Sequence, residues 1–520
     1  MKRTGVVVVG TGPSGAAAAY AFDRAGVEVV VLEAGRRARR QTQHDRFAMM
    51  ENALLGQSPW RFEPYVYEMA GDDVDLNTFA IRMVGGSSLA WGAISPRFQP
   101  NDFRMRSKYG VGADWPLDYE ELEPYYCAAE RFIGVSGGED NPWAARRSEP
   151  FPMPAFPMND SDRLVAAAGG KLGILFHSVP VARNSVAYDG RSACSYYGTC
   201  RACPIGAMYS SDHTIRLLEQ SPRFRLMTEC EAARVELDGQ GRARRVVYYD
   251  PQGREQAIEA ERVVLATQTV ETVRILLNSA CGAHPRGLGN SSGSLGRGFM
   301  EHAKFYVRGR IKQRVHPWRQ GFETATTYKF HDHPRRGEFS GGRLLVRENA
   351  GPSPALIAER SGLWGRELRT EIAEVFGHYV TLGAFLEQLP RPDNRITLSA
   401  TAKDRRGLPA AHISFKLVGE YERRGFEEMK KVMLSILDAL GAEDVRVLMP
   451  PSNSGHYMGG HAMGAPGDGS VTNSFCETHD VKDLYLAGGG VYPTAGVSNM
   501  TLTTVAIVFR MVDHVLKNRS

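Results

Sequence analysis

The sequence lacks the features that mark several large classes of protein. It contains no run of about 18 apolar residues, so no membrane-spanning helix is expected. Its 63 basic and 58 acidic residues leave a formal charge of only +5, and we therefore expect no nucleic-acid partner. No internal repeat or low-complexity tract occurs in the 520 residues. A hydrophobic content of 42% is typical of a globular protein with two or three domains.

The amino terminus offers no segment that looks like a secretion signal. A strand pattern begins by Val6, which leaves no room for a charged region, an apolar region and a cleavage site. We therefore expect a cytoplasmic chain; export together with a signal-bearing partner subunit is the alternative.

Cysteine is scarce, with seven residues in the whole chain. An odd number in a long chain without a secretion signal does not favour a disulfide framework. No Cys-x-x-Cys-His motif is present, so the sequence predicts no attached c-type haem.

A dinucleotide-binding pattern opens the chain. Val6–Val9 form a short β-branched run, which is typical of a buried parallel strand. Gly10, Gly12 and Gly15 follow with the spacing Gly-x-Gly-x-x-Gly. After an alanine-rich helix, a second strand ends at Glu33, at the distance expected for the acid that binds the adenosine ribose.

Strand and helix patterns alternate along the rest of the chain. Residues 223–267 alternate in strand fashion, and a helix begins at Thr272. Residues 300–450 contain several alternating strands and one amphipathic helix from Tyr421 to Leu440. The end of the chain returns to a strand, a glycine turn and a helix from Thr501 to Val515.

Candidate reactive groups lie near the carboxyl end. His456 stands in a glycine-rich segment, and its imidazole can accept a proton near neutral pH. Asn499 follows the glycine turn, and its amide can orient an oxygen and stabilise negative charge there. A histidine in such a loop can also be structural, and Asn499 can be a turn residue. We interpret the neighbouring His461 as a supporting or structural residue.

Five ordered motifs resemble those of the glucose–methanol–choline (GMC) oxidoreductases, and the likeness covers essentially the whole chain. They are the fingerprint ending at Glu33, the loop Gly85-Gly86-Ser87-Ser88, the segment 264–272, the segments 392–398 and 403–404, and the final His-x-x-Gly and Ser-Asn-Met-Thr sequences. This resemblance implies FAD as the cofactor and the oxidation of an alcohol as the reaction.

The resemblance also implies an α/β fold of the p-hydroxybenzoate hydroxylase type. Such a fold has a discontinuous Rossmann-like FAD-binding domain and a substrate domain made of a mixed sheet with helices. We expect the FAD-binding domain over residues 1–300, with flavin-covering segments inserted over about 35–185. Residues 301–450 would form the substrate domain, and residues 451–520 would return to the FAD-binding domain with the catalytic groups.

The family motifs assign roles to individual residues of this chain. They imply that His456 is the base and Asn499 the second catalytic residue. The implied FAD contacts are Gly10, Gly12, Gly15, Glu33, Gly85, Gly86, Ser87, Ser88, Gly488, Gly489 and Asn499. Ala90 precedes Trp91 where some relatives carry a histidine that bonds covalently to the flavin, so we expect non-covalent FAD.

Within the family, the motifs resemble those of the pyranose oxidase-like and bacterial FAD sugar dehydrogenase branch. This predicts oxidation of a secondary ring hydroxyl, at C2 or C3, of a sugar or glycoside. The electron acceptor would be O₂, or a quinone or cytochrome. Alternatives are another alcohol (a sterol, a polyol or an aminoglycoside intermediate), a lyase of the hydroxynitrile type that keeps FAD, and a non-catalytic flavin-binding subunit.

Three cysteines, Cys194, Cys200 and Cys203, resemble a segment that holds a [3Fe-4S] cluster in bacterial FAD sugar dehydrogenases. The last spacing is one residue shorter here than in those relatives. A structural thiol group or disulfide is therefore the favoured interpretation, and a cluster that passes electrons to a small partner subunit is the alternative.

Overall fold

The structure is a computed structural model that describes residues 4–37, 65–72, 76, 80–196, 203, 205–316, 321, 323–347 and 350–518. The described strands are β1 Thr4–Val9, β2 Val29–Glu33, β3 Tyr67–Gly71, β4 Ser136–Gly137, β5 Met153–Pro154, β6 His177–Ser178, β7 Phe224–Thr228, β8 Glu231–Leu237, β9 Ala243–Tyr249, β10 Glu255–Leu265, β11 Ala303–Arg310, β12 Ala325–Thr327, β13 Gly342–Val346, β14 Tyr379–Leu386, β15 Arg395–Lys403, β16 Pro409–Phe415, β17 Glu443–Ser452 and β18 Leu484–Leu486. The described α-helices are α1 Pro13–Arg24, α2 Met105–Tyr109, α3 Tyr119–Ile133, α4 Asp160–Lys171, α5 Ser211–Leu218, α6 Thr269–Asn278, α7 Pro354–Ser361, α8 Gly365–Val375, α9 Glu420–Ala439 and α10 Thr501–Lys517.

The first sheet is built around the amino-terminal strand β1. It pairs in parallel with β2 on one side and β10 on the other, and β7 and β18 extend this parallel part. The antiparallel strands β9 and β8 continue the sheet beyond β10. Val6, Val7 and Val8 are fully buried, because helices or other elements cover both faces of such a sheet.

Helix α1 packs closely on this sheet because its first turns are made of small residues. Ala16–Ala19 are fully buried. A Cβ added at Gly15 would lie 2.0 Å from the carbonyl oxygen of Gly10, so only glycine fits there. Helix α10 packs against α1 and against α3. The amino-terminal fingerprint and the carboxyl-terminal helix therefore belong to one layered unit.

The second sheet carries the order β17-β11-β14-β13-β12-β6 and is antiparallel throughout. Helix α9 packs on it and buries Met429, Met433, Ile436 and Leu437, which recur at helical spacing. The helix therefore covers one face of the sheet and leaves the other face available to line a cavity.

Segments from the predicted insertion over about 35–185 join the second sheet and a three-stranded sheet. Strand β3 pairs in parallel with β16, which itself pairs with β15. Strand β6 adds an edge to the second sheet by pairing with β12. Residues 38–64 lie outside the described part of the chain.

Several predicted elements differ from the observed ones only at their ends. The helix predicted over 421–440 spans Glu420–Ala439. The helix predicted from Thr272 begins at Thr269, because the Gln268 side chain accepts a hydrogen bond from the main chain of Val270 and caps it. None of the described helices is long and apolar enough to cross a membrane.

Candidate active site

A cavity of about 700 Å³ connects motifs from the two ends of the chain. One end is lined by Gly10, Gly12 and Glu33, where β1 and β2 finish. The other end is lined by His456 and Asn499. The volume is within the range of small-molecule and cofactor sites.

Most of the predicted cofactor residues lie on the wall of this cavity. These are Gly10, Gly12, Glu33, Gly86, Ser87, Ser88, Gly488, Gly489 and Asn499. Gly15 and Gly85 lie behind the wall. Gly85 adopts a left-handed φ of 101°, and Gly15 allows α1 to approach β1, so both shape the loops rather than face the cavity.

Glu33 is held in place by hydrogen bonds from the glycine turn. Its Oε2 accepts from the main-chain nitrogen of Thr11 at 3.1 Å and from the Thr11 hydroxyl, and its Oε1 accepts from Gly35 at 2.8 Å. The Thr11 Oγ1 accepts in turn from the main chain of Gly85 at 3.0 Å. Burial raises the pKa of Glu33, and the hydrogen bonds oppose that shift. One threonine thus joins the fingerprint to the second glycine loop.

The amino terminus of α1 is open toward the cavity. Gly12 is its N-cap, no side chain caps the helix, and its first turn contains no acidic residue. A Cβ added at Gly12 would meet nothing within 4 Å, so empty space lies in front of this turn. Unpaired main-chain N–H groups at a helix start suit a phosphate group. These features fit the pyrophosphate of FAD.

The serine loop is fixed by contacts within the protein. The Ser88 hydroxyl donates to the carbonyl oxygen of Gly85 and accepts from the main chain of Ser211 at 2.9 Å. Ala90 lines the cavity directly after this loop, and its methyl group offers no atom for a covalent bond to a flavin.

At the other end of the cavity, His456 and Asn499 come together from segments 43 residues apart. The Nε2 of His456 lies 3.1 Å from the Nδ2 of Asn499. The Oδ1 of Asn499 is buried and has no hydrogen-bond partner among the described residues. The pair therefore places an imidazole nitrogen and an amide group side by side at the same wall.

Two further residues that the sequence did not single out complete this end of the site. The Nδ1 of His302 lies 2.9 Å from the Nδ1 of His456, with the two rings nearly perpendicular at 87°. The Glu301 carboxyl accepts from the main-chain nitrogens of His456 at 2.6 Å and His302 at 2.8 Å. The available signal was an adjacent acid and histidine just before the alternating strand β11.

Burial keeps both imidazoles neutral. It lowers the pKa of His456 well below the ordinary value of 6.5. The positive charges of His302, when that ring is protonated, and of Lys304 and Arg343 act in the same direction. Burial also lowers the pKa of His302 to about 4. It raises the pKa of Glu301 to about 7, against the hydrogen bonds from the main chain. At neutral pH His456 is therefore a proton acceptor.

The second sheet supplies a polar wall beside His456. Lys304 and Tyr306 project from alternate positions of β11, and Phe385 of β14 pairs with Lys304 across the sheet. The Phe385 ring stacks on His456 with centroids 5.7 Å apart. Glu323 and Arg347 form an ion pair on the same wall.

His461 lies outside the cavity. Its side chain is 1% exposed, and burial lowers its pKa to about 3. A Cβ added at Gly490 would lie 1.9 Å from its Nε2, so the ring packs directly against that glycine. This position agrees with the supporting or structural interpretation.

The cysteine group is described only in part. Cys194 and Cys203 are half-buried and are not joined in a disulfide, and Cys200 lies outside the described residues. Among the residues that the structure describes, no group of three or more His, Cys, Asp or Glu side chains is placed to hold a metal ion. The cluster and the structural thiol group both stay predictions.

Known protein families match most of this chain. The GMC oxidoreductase profiles match residues 65–304 and 390–507. A profile of the NAD(P)-binding Rossmann-like domain matches residues 8–47, which include the glycine turn and Glu33.

Individual relatives extend over the full length. The fructose dehydrogenase large subunit of Gluconobacter japonicus is 32% identical over 99% of this chain and 98% of its own. Paromamine 6'-oxidase of Streptomyces fradiae is 28% identical over 97% of this chain and 90% of its own. The crystal structure of pyridoxine 4-oxidase from Mesorbium loti covers all of both chains with a TM-score of 0.70 at 16% identity, which confirms the predicted fold. The chain therefore belongs to the GMC oxidoreductase family and is an FAD-dependent oxidoreductase that acts on CH–OH groups.

Proposed function

We propose that this enzyme oxidises a secondary ring hydroxyl of a sugar or glycoside, at C2 or C3, to a keto-sugar. The observation that carries this proposal is the neutral His456 imidazole beside the Asn499 amide at the cavity wall. FAD, when bound along the cavity, supplies the N5 atom that accepts the hydride. The hydroxyl proton goes to His456, so proton and hydride together account for the two hydrogens that the alcohol loses.

His456 and Asn499 act on the same substrate oxygen. Because Nε2 and Nδ2 are only 3.1 Å apart, one hydroxyl oxygen can lie within hydrogen-bond reach of both groups. The imidazole takes the proton, and the amide N–H stabilises the negative charge that develops on the oxygen. The nearby positive charges of Lys304 and Arg343, which oppose protonation of His456, favour that negative charge as well.

The composition of the polar wall beside His456 supports a polyhydroxylated substrate. Lys304, Tyr306 and the Glu323–Arg347 pair offer donors and acceptors that sugar hydroxyls can satisfy. A sterol, which is mostly apolar, would offer few hydrogen-bonding groups to this polar wall. The likeness to a fructose dehydrogenase points in the same direction.

An aminoglycoside intermediate is the second candidate substrate. The likeness to paromamine 6'-oxidase favours it, as does the Glu323 carboxylate on the cavity wall, since a carboxylate can accept hydrogen bonds from an ammonium group. This candidate keeps the same roles for His456 and Asn499.

The test is anaerobic addition of glucose, fructose, plant glycosides and paromamine to the FAD-loaded enzyme, followed by the visible absorption of oxidised flavin. We expect a sugar or glycoside to remove this absorption. Reduction by paromamine alone would favour the second candidate. If no alcohol reduces the flavin, the proposal fails and cleavage of a cyanohydrin becomes the next assay. Admitting air afterwards separates O₂ from a quinone or cytochrome as the acceptor.

We also propose that FAD is held without a covalent bond, on the basis of Ala90. Acid precipitation of the enzyme should then release all the yellow colour into the supernatant. Colour that stays with the precipitated protein would contradict this.

A further inference from the structure

The main chain fixes the proton positions in the pair formed by His302 and His456. The Nε2 of His302 lies 2.9 Å from the carbonyl oxygen of Gly496 and 3.3 Å from that of Ala495. A carbonyl oxygen only accepts, so Nε2 of His302 carries the hydrogen. Because this ring is neutral, its Nδ1 holds a lone pair.

The same reasoning continues to the base. The Nδ1 lone pair of His302 faces the Nδ1 of His456 at 2.9 Å, so the hydrogen of that contact belongs to His456. A neutral imidazole has one N–H, and the Nε2 of His456 therefore holds a lone pair. Asn499 donates to that atom at 3.1 Å, which agrees with this assignment.

The opposite arrangement is unfavourable at each contact. Suppose that His456 carried its hydrogen on Nε2. If His302 kept its hydrogen on Nε2, the Nδ1 lone pairs of the two rings would face each other. If His302 carried its hydrogen on Nδ1 instead, its Nε2 lone pair would face the carbonyl oxygens of Ala495 and Gly496. Each buried acceptor that is left without a donor costs free energy. One loop supplies both the carbonyl oxygens of Ala495 and Gly496 and the amide of Asn499.

We propose that His302 is a positioning residue that holds His456 in the form protonated at Nδ1. The Nε2 lone pair, which accepts from the Asn499 amide in the free enzyme, then takes the proton of the substrate hydroxyl when that hydroxyl enters between the two groups. The inference rests on the proposed function, because it assigns His302 a role through His456 as base. Glu301 assists by fixing the main chain of both histidines, since its carboxyl accepts from both of their N–H groups.

His302 also stabilises the protonated base. Once His456 is charged, its Nδ1–H still donates to the neutral His302, which favours the imidazolium. Because the pKa of His302 is about 4, His302 carries no positive charge that repels this imidazolium until the pH approaches 4. The charged groups that act on the pKa values of this pair are Lys304, Arg343 and Asp102, and Glu301 is the titratable group that contacts its main chain. They come from three segments, at residues 102, 301–304 and 343. Removing the Nδ1 acceptor should therefore lower the pKa of His456 further.

The test compares two replacements of His302 in the FAD-loaded enzyme. His302→Leu removes the acceptor, and His302→Asn keeps an oxygen acceptor near the position of Nδ1. We expect anaerobic flavin reduction to slow by about 10²-fold in His302→Leu, because the base loses its fixed proton position. His302→Asn should recover most of the rate. Substrate affinity and FAD content should change little in either variant.

The pH profile separates this role from a merely structural one. The rate of flavin reduction falls at acid pH as His456 becomes protonated, and we call this fall the acid limb. Under our proposal the acid limb in His302→Leu lies at lower pH than in the parent enzyme. If the leucine only loosens the site and admits water, the pKa of His456 returns toward 6.5 and the limb moves to higher pH. A limb at higher pH, or a parental rate in His302→Leu, would overturn the proposal.

A second readout does not depend on turnover. Two-bond ¹H–¹⁵N spectra of histidine-labelled enzyme, assigned with His456→Gln, distinguish the two neutral forms of His456. We expect the Nδ1–H form in the parent and a mixture in His302→Leu; the Nε2–H form in the parent would refute the assignment. His177→Leu is the matched control, because His177 is equally buried but outside the cavity. It should lose stability without changing the pH profile.

If His456→Ala reduces flavin at the parental rate, the proposed function itself fails. If His456→Ala is slow while His302→Leu behaves like the parent, only the inference about His302 fails.

Discussion

The two ends of the cavity are built in different ways. At the nucleotide end, which is the end of the cavity lined by Gly10, Gly12 and Glu33, one short stretch over residues 10–35 supplies the turn, the helix start and the acid. The main chain of Gly85 binds the same turn from elsewhere in the chain. At the base end, which is the end of the cavity lined by His456 and Asn499, three distant segments meet, around residues 301–304, 454–456 and 495–499. Local spacing therefore encodes the first end, and tertiary topology creates the second.

The ends also differ in what their groups can do. Glu33 at the nucleotide end is surrounded by donors, which suits a carboxylate that binds and does not change. His456 at the other end is buried and neutral, which suits a group that gains a proton and passes it on, and the neutral His302 contacts it. Our proposal makes the nucleotide end the binding end and the end that holds His456 the reacting end, and substitutions should affect them separately.

The largest expected effect is at the reacting end. His456→Ala should slow anaerobic reduction of the flavin by about 10²- to 10⁴-fold, because it removes the proton acceptor. The FAD content, measured from absorption after unfolding, should stay at the parental level. Rapid-mixing spectroscopy gives the rate, and a parental rate would remove His456 from the mechanism.

A smaller effect is expected at the second residue of that end. Asn499→Ala should slow reduction by about 10²-fold, because the amide donor to the developing negative charge is lost. Asn499→Asp tests whether residue 499 acts directly on His456, since a carboxylate beside His456 raises the pKa of the imidazole. The acid limb of the rate should then move to higher pH in the Asp variant and not in the Ala variant.

A substitution at the binding end should change the affinity for FAD and not the rate of flavin reduction. Gly12→Ala places a methyl group in open space in front of α1, so the protein without FAD should fold normally. FAD binding should weaken by about tenfold, or about 1.4 kcal/mol, because the methyl group occupies the space of the pyrophosphate. Titration calorimetry measures this change.

Gly170→Ala is the matched control for that titration. Its Cβ also meets nothing within 4 Å, but it lies on the exposed side of α4. Unchanged FAD affinity in Gly12→Ala would show that the open helix start is not the cofactor site.

The difference between the locally encoded nucleotide end and the base end assembled from distant segments explains what the sequence could predict. The glycine turn, α1 and Glu33 follow from spacing, because each group is positioned by its near neighbours in the chain. The boundaries of α9 follow from apolar periodicity. The sequence could not assign a role to His302 and Glu301. An acid followed by a histidine just before a strand is a visible pattern, but it does not show that the two residues contact His456.

Topology also decided which motif residues face the cavity. Gly15 and Gly85 belong to the motifs yet lie behind the wall, and His461 lies five residues from His456 in the same segment but outside the site. A left-handed turn at Gly459 and Gly460 separates the two histidines, and a sequence pattern does not show in which direction such a turn sends the next side chain.

The most direct test of the account is the pH dependence of anaerobic flavin reduction by an accepted sugar in the unmodified enzyme. A buried, neutral His456 as base predicts that the rate starts to fall about tenfold per pH unit only well below pH 6.5, as the imidazole becomes protonated. Titration of Glu301 near pH 7 would only move the rate from one plateau to another. A fall of about tenfold per pH unit that begins at or above pH 6.5 would mean that the base is a solvent-exposed or differently placed group, and would contradict the account.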